Sequence, residues 1–218
     1  MRHLAEIDGI EYGLLDRVDV PEMVRLIAEV FAKHDPPAVA LGLSAPEIEN
    51  IVEVLAVKAL DDDVTTIAKT TDGTFVGAML SEDFGTPPPD LTRAPAAFAA
   101  LGAVLDELEN EYRTLHEIVP GNDLHLFMLG VADAHGGKGV GQKLVELCVE
   151  NGARRGYRYA FAEATGLVSQ HIFRKASFRD RGAVLYDSFL FEGERVFGSI
   201  TEHGGTILMV RDLNGQRD

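Results

Sequence analysis

The amino-acid sequence predicts an α/β fold. Segments with the spacing of β-strands alternate along the chain with segments whose apolar residues recur every three or four positions, as in amphipathic helices. An apolar run at 125–131 leads through a glycine-rich turn into one such helix, and Asp72-Gly73 joins two β-rich segments as a hairpin turn does. With 218 residues, 46% of them hydrophobic, the chain can bury one substantial core, and we expect a single domain over residues 1–218.

Before the hairpin, the sequence predicts one strand and two helices. The strand is expected at 10–15 and the helices at 21–31 and 44–60, the second opening with a serine–glutamate capping box. The pair of prolines that begins at Pro36 must end the first helix, because a proline disfavours helix in the residue before it. This places Asp35 on a loop.

The remaining elements follow from the same patterns. The hairpin strands are expected at 64–69 and 74–80, and a proline-rich loop separates them from a helix at 96–115. The chain then continues through the 125–131 strand and the helix that follows its glycine-rich turn. A strand, a short helix, two further strands and a frayed polar tail complete the order, at 157–163, 168–175, 184–191, 206–210 and 214–218.

The charge balance and the cysteine content exclude several classes of protein. The chain has 35 acidic and 20 basic side chains and a formal net charge of −15. This argues against nucleic acid as a partner, because nucleic acids are bound by clustered Lys and Arg, and it favours a cationic substrate. The single cysteine, Cys148, excludes a disulfide framework. No apolar run reaches about 18 residues, so we expect a cytoplasmic protein without a membrane partner.

The glycine-rich turn has the composition of a phosphate-binding site. Gly136, Gly137, Gly139 and Gly141 would let the backbone approach a ligand closely, and the helix start directs unpaired N–H groups and the positive end of the helix dipole at an anion. A Walker A loop needs Ser or Thr after its lysine, whereas Lys138 is followed by glycine. A dinucleotide fingerprint needs wider glycine spacing. The turn therefore predicts a phosphate-bearing ligand held by another kind of motif.

Residues 136–141 resemble motif A of the GNAT superfamily, the acetyl-CoA-dependent N-acyltransferases, which ends in Arg/Gln-x-x-Gly-x-Gly/Ala. Gly136 stands where Arg or Gln is usual. The order of elements along nearly the whole chain is also GNAT-like, and the segment SQHIFRKASF at 169–178 resembles the GNAT stretch after the fifth strand, with Ser177 in place of a usual glycine. The resemblance implies a mixed, mostly antiparallel sheet of about seven strands flanked by helices, with the helix at 96–115 inserted before the motif strand.

The same resemblance implies acetyl-CoA as co-substrate. The pyrophosphate is expected on backbone N–H groups of the turn, with Lys138 adding positive charge, and the pantetheine amides on the main chain of Leu129 and Val131, as in strand addition. Phe173 and Lys175 are expected to lie along the cofactor. The residues assigned to the pyrophosphate by their N–H groups are Gly136, Gly137, Gly139, Val140 and Gly141.

More narrowly, the inserted helix, the Asp35-Pro36 loop and the pair Thr165 and Ser169 are similar to the arylalkylamine N-acetyltransferase branch. In that branch an acidic residue before a proline acts as the base, often through water, and two hydroxyl residues four positions apart line the site. The resemblance therefore implies Asp35 as the general base and the two hydroxyls as its companions. Ser169 is the preferred proton donor, because Phe173 stands where GNAT enzymes often have a tyrosine.

The chemistry requires such groups independently of the family. An amine must lose a proton before it attacks a thioester, and the leaving thiolate must gain one. Each assigned residue also has a structural alternative: Asp35 could form a turn, Ser169 could cap the short helix, and Thr165 could belong to a strand end. Glu163 and Glu82 are reserve bases if they point into the cleft.

No grouping in the sequence has metal-ligand spacing, so no metal is implied. His125, His135 and His171 are expected at the surface or behind the residues that touch substrate. Two functions remain open: an N-acetyltransferase acting on a small cationic primary amine, or a CoA-binding sensor or regulatory module that has lost catalysis. A protein or peptide amino group is the alternative acceptor, and a homodimer is left open.

Overall fold

The computed structural model describes residues 1–92 and 94–214, so residues 215–218 of the expected polar tail lie outside the described part. The described residues form eight strands and six α-helices. The strands are β1 Arg2–Ile7, β2 Ile10–Leu14, β3 Thr66–Thr70, β4 Phe75–Asp83, β5 Asp123–Val131, β6 Tyr159–Ala164, β7 Arg179–Leu185 and β8 Gly205–Asp212. The helices are α1 Val20–His34, α2 Pro36–Ala40, α3 Ala45–Asp62, α4 Phe98–Leu115, α5 Val140–Arg155 and α6 Leu167–Lys175.

All eight strands belong to one sheet with the order β1-β2-β3-β4-β5-β6-β8-β7. Every neighbouring pair is antiparallel except β5 and β6, which run parallel. This confirms the expected mixed, mostly antiparallel α/β sheet, with one strand more than the seven expected. The extra strand is β1, an edge strand whose residues are exposed or half-buried, so its sequence carries no apolar alternation.

The first helices are arranged around a one-residue break. Helix α1 has proline in its first turn and ends at Asp35, whose N–H still donates to the Phe31 carbonyl at 3.0 Å. The loop expected here is shorter than the sequence indicated, because the two prolines occupy the first positions of a second helix, α2, where a missing N–H costs nothing. The predicted capping box of α3 is confirmed: the Ser44 N–H donates to the Glu47 carboxylate at 2.9 Å.

The predicted inserted helix is confirmed as α4, which packs over the part of the sheet that contains β7 and β8. Its Tyr112 is fully buried and donates its hydroxyl proton to Asp123, at the first residue of β5, at 2.6 Å. The Tyr112 ring also stacks on Phe161 of β6, with 4.0 Å between ring centroids. Helices α1 and α3 cover the other half of this face, while α5 and α6 cover the opposite face.

The strand predicted at 184–191 is wrong in its position. Strand β7 takes residues Arg179–Leu185 instead, and the chain leaves the sheet after it. The apolar residues that suggested a strand have a different use: Tyr186 is fully buried in the group of side chains between α4 and the sheet. β7 itself is exposed and largely polar, so it gave no strand signal.

The sheet opens between its two parallel strands. β5 and β6 pair only from Asp123 with Tyr159 to His125 with Phe161. The register of β5 against β4 shifts just beyond that point: Leu126 faces Ser81 and Met128 faces Leu80, which makes Phe127 an extra residue in β5. Such a bulge bends its strand, so the remainder of β5 turns away from β6 and keeps a free edge.

Among the helices that the structure describes, none combines the length and the apolar character that crossing a membrane requires.

Candidate active site

The glycine-rich turn connects β5 to the start of α5. Gly137 and Gly139 have φ values of +71° and +82°, in the left-handed region that glycine adopts without strain, and Gly139 is the N-cap of α5. The first N–H groups of α5 have no carbonyl partner within the helix and face the end of the turn. Lys138 is exposed, and its Nζ donates to the Ala134 carbonyl at 2.8 Å. The turn thus has the geometry of an anion site.

Two of the assigned turn residues also have structural contacts of their own. The N–H of Gly136 donates to the Asp133 carbonyl at 3.1 Å. A Cβ built on Gly141 would lie 3.4 Å from Cδ1 of Ile172 and 3.5 Å from Cγ2 of Val131, which is ordinary contact distance. The side of Gly141 that lacks a Cβ therefore faces the packing of α5 on β5 and α6. Only its backbone N–H is left for a phosphate.

The free edge of β5 begins where the strand departs from β6. Leu129 and Val131 pair with β4 through Met79 and Gly77, which leaves the other edge of β5 open for main-chain hydrogen bonds. This is the geometry that strand addition by pantetheine would use. The opening in the sheet thus leads from the glycine-rich turn at 136–141, called the phosphate turn below after the ligand predicted for it, toward the end of β6.

Phe173 and Lys175 lie on α6, beside the same opening. Phe173 is buried, with its ring edge-on to Phe178 at 5.0 Å between centroids, whereas Lys175 is exposed. Ser177 adopts a φ of +64°, a conformation that favours glycine, which is a physical reason for the glycine that GNAT proteins usually have there. The phenyl ring of Phe173 thus serves the core.

Asp35 and Thr165 are brought together at the carboxyl end of β6. The Thr165 hydroxyl donates to Oδ1 of Asp35 at 2.5 Å, and the N–H of Ala38 donates to Oδ2 at 3.0 Å. Burial raises the pKa of the Asp35 carboxyl above its ordinary value, and the hydrogen bonds from Thr165 and Ala38 oppose this rise. A carboxylate with a raised pKa is a better proton acceptor near neutral pH.

The sequence reasoning missed Tyr186 and His203, which support this pair. The Tyr186 hydroxyl donates to the Thr165 carbonyl at 2.7 Å, and Thr206 lies 3.0 Å from that hydroxyl. Nδ1 of His203 accepts the Leu167 N–H at 3.2 Å. Tyr186 falls within the wrongly placed strand and His203 within the connection expected after it, and no local motif marks either one.

Ser169 is engaged within its own helix turn. Its hydroxyl donates to the Gly166 carbonyl at 2.9 Å and accepts the Gly166 N–H at 3.3 Å. Ser169 therefore helps to cap α6 from its third position, whereas the N-cap residue itself, which the sequence alternative had assigned to Ser169, is Gly166. Ser169 is half-buried at the start of α6, one helical turn beyond Thr165. A role in proton transfer would need its hydroxyl to exchange one of these bonds.

A second cluster of ionisable groups crosses the opening between β5 and β6. Nδ1 of the buried His125 lies 2.9 Å from Oε1 of Glu82, and Nε2 lies 2.7 Å from Oε2 of Glu163. Burial by itself lowers the pKa of His125, but the two glutamates outweigh it and raise that pKa well above its ordinary value. His125 is therefore an imidazolium that donates one hydrogen bond to each carboxylate.

Glu109 of α4 completes this cluster and was not singled out from the sequence. One ligand atom each from Glu109, His125 and Glu163 lies within 4.8 Å of the others. Burial raises the pKa of Glu109 to about 7. Each ring nitrogen of His125 faces a carboxylate oxygen, so these contacts describe an ion-pair cluster. We refer to Glu82, Glu109, His125 and Glu163 as the acidic cluster.

One protein-family model matches about two thirds of the chain. The model of the acetyltransferase (GNAT) family matches residues 33–178, which span the segment from Asp35 to Phe178. This range contains the phosphate turn, Thr165 and every residue of the acidic cluster.

Solved structures show the same fold at low sequence identity. Arylalkylamine N-acetyltransferase 2 from Aedes aegypti has a TM-score of 0.81 and 20% identity, over 95% of this chain and all of that one. The C-terminal condensation domain of Ebony, in complex with beta-alanyl-dopamine, has a TM-score of 0.85 and 15% identity, over 93% of this chain and 98% of that one. The Drosophila melanogaster polyamine N-acetyltransferase has a TM-score of 0.70 and 17% identity, over 93% and 99%.

The family match, the mixed sheet and the strand–turn–helix of β5 and α5 agree with one another. The chain belongs to the acetyltransferase (GNAT) family and is an acyltransferase enzyme.

Proposed function

We propose that the protein transfers an acetyl group from acetyl-CoA to a primary amine, with direct attack of the amine in a ternary complex. The observation that carries this proposal is the buried contact between Asp35 and Thr165 at the carboxyl end of β6. It sets a carboxylate with a raised pKa at the end of the opening that the phosphate turn and the free β5 edge also border. The proposed base, at the junction of α1 and α2, and the proposed acyl-CoA site along β5 would thus face the same opening.

In the proposed reaction, the amine nitrogen forms a bond to the thioester carbon while the carbon–sulfur bond breaks. Asp35 accepts the proton that the amine loses, directly or through one water molecule. The thiolate sulfur of CoA takes up a proton from the Ser169 hydroxyl, which regains one from solvent, or from solvent itself. Thr165 keeps Asp35 oriented and favours its charged form, because its hydroxyl donates to the carboxylate.

Acetyl-CoA is proposed to lie along the opening in the sheet. Its pyrophosphate would accept hydrogen bonds from the N–H groups at the start of α5, and its pantetheine would pair with Leu129 and Val131 as an added strand. Of the two α6 residues assigned to the cofactor, Lys175 is exposed and can contact the nucleotide end, whereas Phe173 would act through the core beneath it.

A small cationic amine is the proposed acceptor. The net charge of −15 concentrates cations around the protein. The similar structures include an arylalkylamine N-acetyltransferase and a polyamine N-acetyltransferase. A protein or peptide amino group is the alternative acceptor, and the enzyme is proposed to work in the cytoplasm with Cys148 reduced.

The competing function is a CoA-binding sensor or regulatory module without catalysis. The observation that favours it is the lack of a free proton donor among the assigned residues. A buried Phe173 stands in place of a tyrosine, and the Ser169 hydroxyl donates to the Gly166 carbonyl. A sensor would bind acetyl-CoA at the same turn and release no thiol. The two functions therefore differ in one measurable product.

Free thiol released from acetyl-CoA tests the proposal. Tyramine, putrescine and glutamate are compared as acceptors at equal concentration, with Asp35→Asn as the control. We expect release with the two cationic amines, faster at low salt and slowed above about 0.1 M salt, where the Debye length is near 10 Å. No release with any amine, together with measurable CoA binding, would favour the sensor. Preference for glutamate would remove the support that the net charge gives.

A further inference from the structure

The acidic cluster contains a buried carboxylate oxygen without a partner. Oε2 of Glu163 accepts from His125, but Oε1 makes no hydrogen bond with any residue in the described part of the chain. The Glu163 side chain is only 2% exposed. A charged oxygen that is removed from water and left without a donor is destabilising, because nothing replaces its lost hydration. A donor is therefore needed there.

The other members of the cluster do not supply that donor. The two N–H groups of His125 are directed at Glu82 and Glu163 Oε2. Lys58 is nearest to the opposite end of the cluster, with its Nζ 2.8 Å from Asp62 and 3.7 Å from Oε2 of Glu82. Oε1 of Glu163 thus keeps its capacity to accept a hydrogen bond.

Glu109 lies on the outer side of the cluster. Its side chain is 26% exposed, and one of its carboxylate oxygens lies within 4.8 Å of a ring nitrogen of His125 and of a carboxylate oxygen of Glu163. Arg113 approaches Glu109 from outside, at 3.7 Å, which is beyond hydrogen-bond distance, while its guanidinium lies over the Phe84 ring. Burial and the nearby Glu163 and Glu82 charges raise the pKa of Glu109 to about 7, so a cation between the carboxylates would relieve their repulsion.

The subsite lies close to the proposed reaction centre. Glu163 and Thr165 are two residues apart on the same strand and its extension, so their side chains point to the same face, about 7 Å apart along the chain direction. Thr165 holds Asp35. β5 has already departed from β6 at this level, because their pairing ends at Phe161. The gap between β5 and β6 therefore runs past both Glu163 and Thr165.

We infer that Glu163 and Glu109 form a second cation subsite, which binds the distal ammonium or guanidinium of a substrate whose reacting amine lies at Asp35. This inference rests on the proposed function and specifies, among cationic amines, a preference for short ones with two positive groups. The distal cation donates to Oε1 of Glu163 and contacts Glu109 at the entrance. The imidazolium of His125 holds Glu163 in place by its hydrogen bond to Oε2.

The test compares diamines with monoamines of the same chain length. Thiol release is measured with putrescine and butylamine, and with cadaverine and pentylamine, on wild type, Glu109→Gln and Glu163→Gln. We expect the ratio of kcat/KM for the diamine to that for the monoamine to fall at least tenfold in both variants, chiefly through KM of the diamine. Glu107→Gln is the matched control, since it removes the same charge from an exposed position on the same helix, and its ratio should stay at the wild-type value.

A binding measurement separates this inference from the proposed function. Putrescine is titrated calorimetrically into the complex of each protein with CoA, and we expect at least tenfold weaker binding to Glu109→Gln and Glu163→Gln than to Glu107→Gln. Absence of thiol release with every amine would contradict the proposed function, while the titration would still test the subsite. Thiol release with unchanged ratios and unchanged putrescine affinity in both variants would overturn the subsite and leave the acetyltransferase proposal standing. Thermal unfolding of Glu163→Gln checks that this variant is folded. If it is not, the ratio and the putrescine affinity of Glu109→Gln alone test the subsite.

Discussion

The Thr165 hydroxyl donates a hydrogen bond to Oδ1 of Asp35 across 130 positions of sequence, at 2.5 Å. Asp35 ends the first helix, and Thr165 follows the sixth strand, so this bond fixes the loop after α1 to the centre of the sheet. The same bond lowers the proton affinity of the Asp35 carboxylate. Burial raises the pKa of Asp35, and the Thr165 bond is the first of the interactions that oppose that rise.

Asp35→Asn is expected to lower kcat by roughly 10² to 10⁴, the range for loss of a general base. Asparagine keeps the shape of the side chain and can still accept from the Ala38 N–H, so the N-cap of α2 should survive. Steady-state thiol release gives the rate, and calorimetry gives the CoA affinity, which should stay close to wild type. An unchanged rate, or a loss of CoA binding along with the rate, would return Asp35 to a purely structural role.

Thr165→Val is expected to move the acidic limb of the pH–rate profile upward. The variant removes the donor that favours the Asp35 carboxylate, so the pKa rises further and a higher pH is needed to deprotonate the base. Thr165→Ser retains a hydroxyl and serves as the matched control, with a profile near wild type. The measurement is kcat/KM against pH with one amine. Equal profiles for the valine and serine variants would contradict the role given to the hydrogen bond.

Gly139→Val is expected to weaken CoA binding at least tenfold. Gly139 has a φ of +82°, which a β-branched residue rarely adopts, and its backbone borders the anion site at the start of α5. Gly141→Ala is the comparison, because its new Cβ would meet Ile172 and Val131 at ordinary contact distances. Calorimetric titration with CoA should show a clearly smaller loss for Gly141→Ala. Wild-type affinity in Gly139→Val would refute the assignment of the turn.

The phosphate turn was predictable because its signal is local. Gly137 and Gly139 require left-handed φ values within three residues of each other, directly after an apolar run and before an apolar helix face. The inserted helix and the hairpin carried equally local patterns. β1 and β7 did not, since edge strands are exposed and need no apolar alternation.

The acidic cluster could not be derived from the sequence because it depends on strand register. Glu82 and His125 are 43 residues apart and become partners only because β4 and β5 pair in one particular register. Glu163 reaches the same histidine from a strand that has just parted from β5. The sequence offered these residues as reserve bases and surface histidines, with no means of placing them together.

Glu109→Gln is expected to stabilise the protein at pH 8 more than at pH 5. The pKa of Glu109 is raised from an ordinary 4.5 to about 7 in the folded protein. Folding is therefore favoured when this carboxyl is protonated. That contribution to stability is complete below about pH 4.5 and is lost as the pH rises toward 7. A shift of this size corresponds to about 3 kcal/mol, which partial exposure reduces to about 1–2 kcal/mol. Thermal unfolding at the two pH values measures the difference, about 2–6 °C in Tm for a chain of this length. Glu107→Gln, on the exposed side of the same helix, should show no such dependence.

The three residue pairs that join β5 to β6 have a mechanical consequence. Within the described residues, they are the sole strand pairing between β1–β5 and β6–β8. The Asp35–Thr165 hydrogen bond crosses the same boundary, because α1, which ends at Asp35, packs on β5, whereas Thr165 extends β6. A ligand that pairs with the free edge of β5, as proposed for pantetheine, would add a further connection there, and we expect it to hold the two parts of the sheet at a more constant separation.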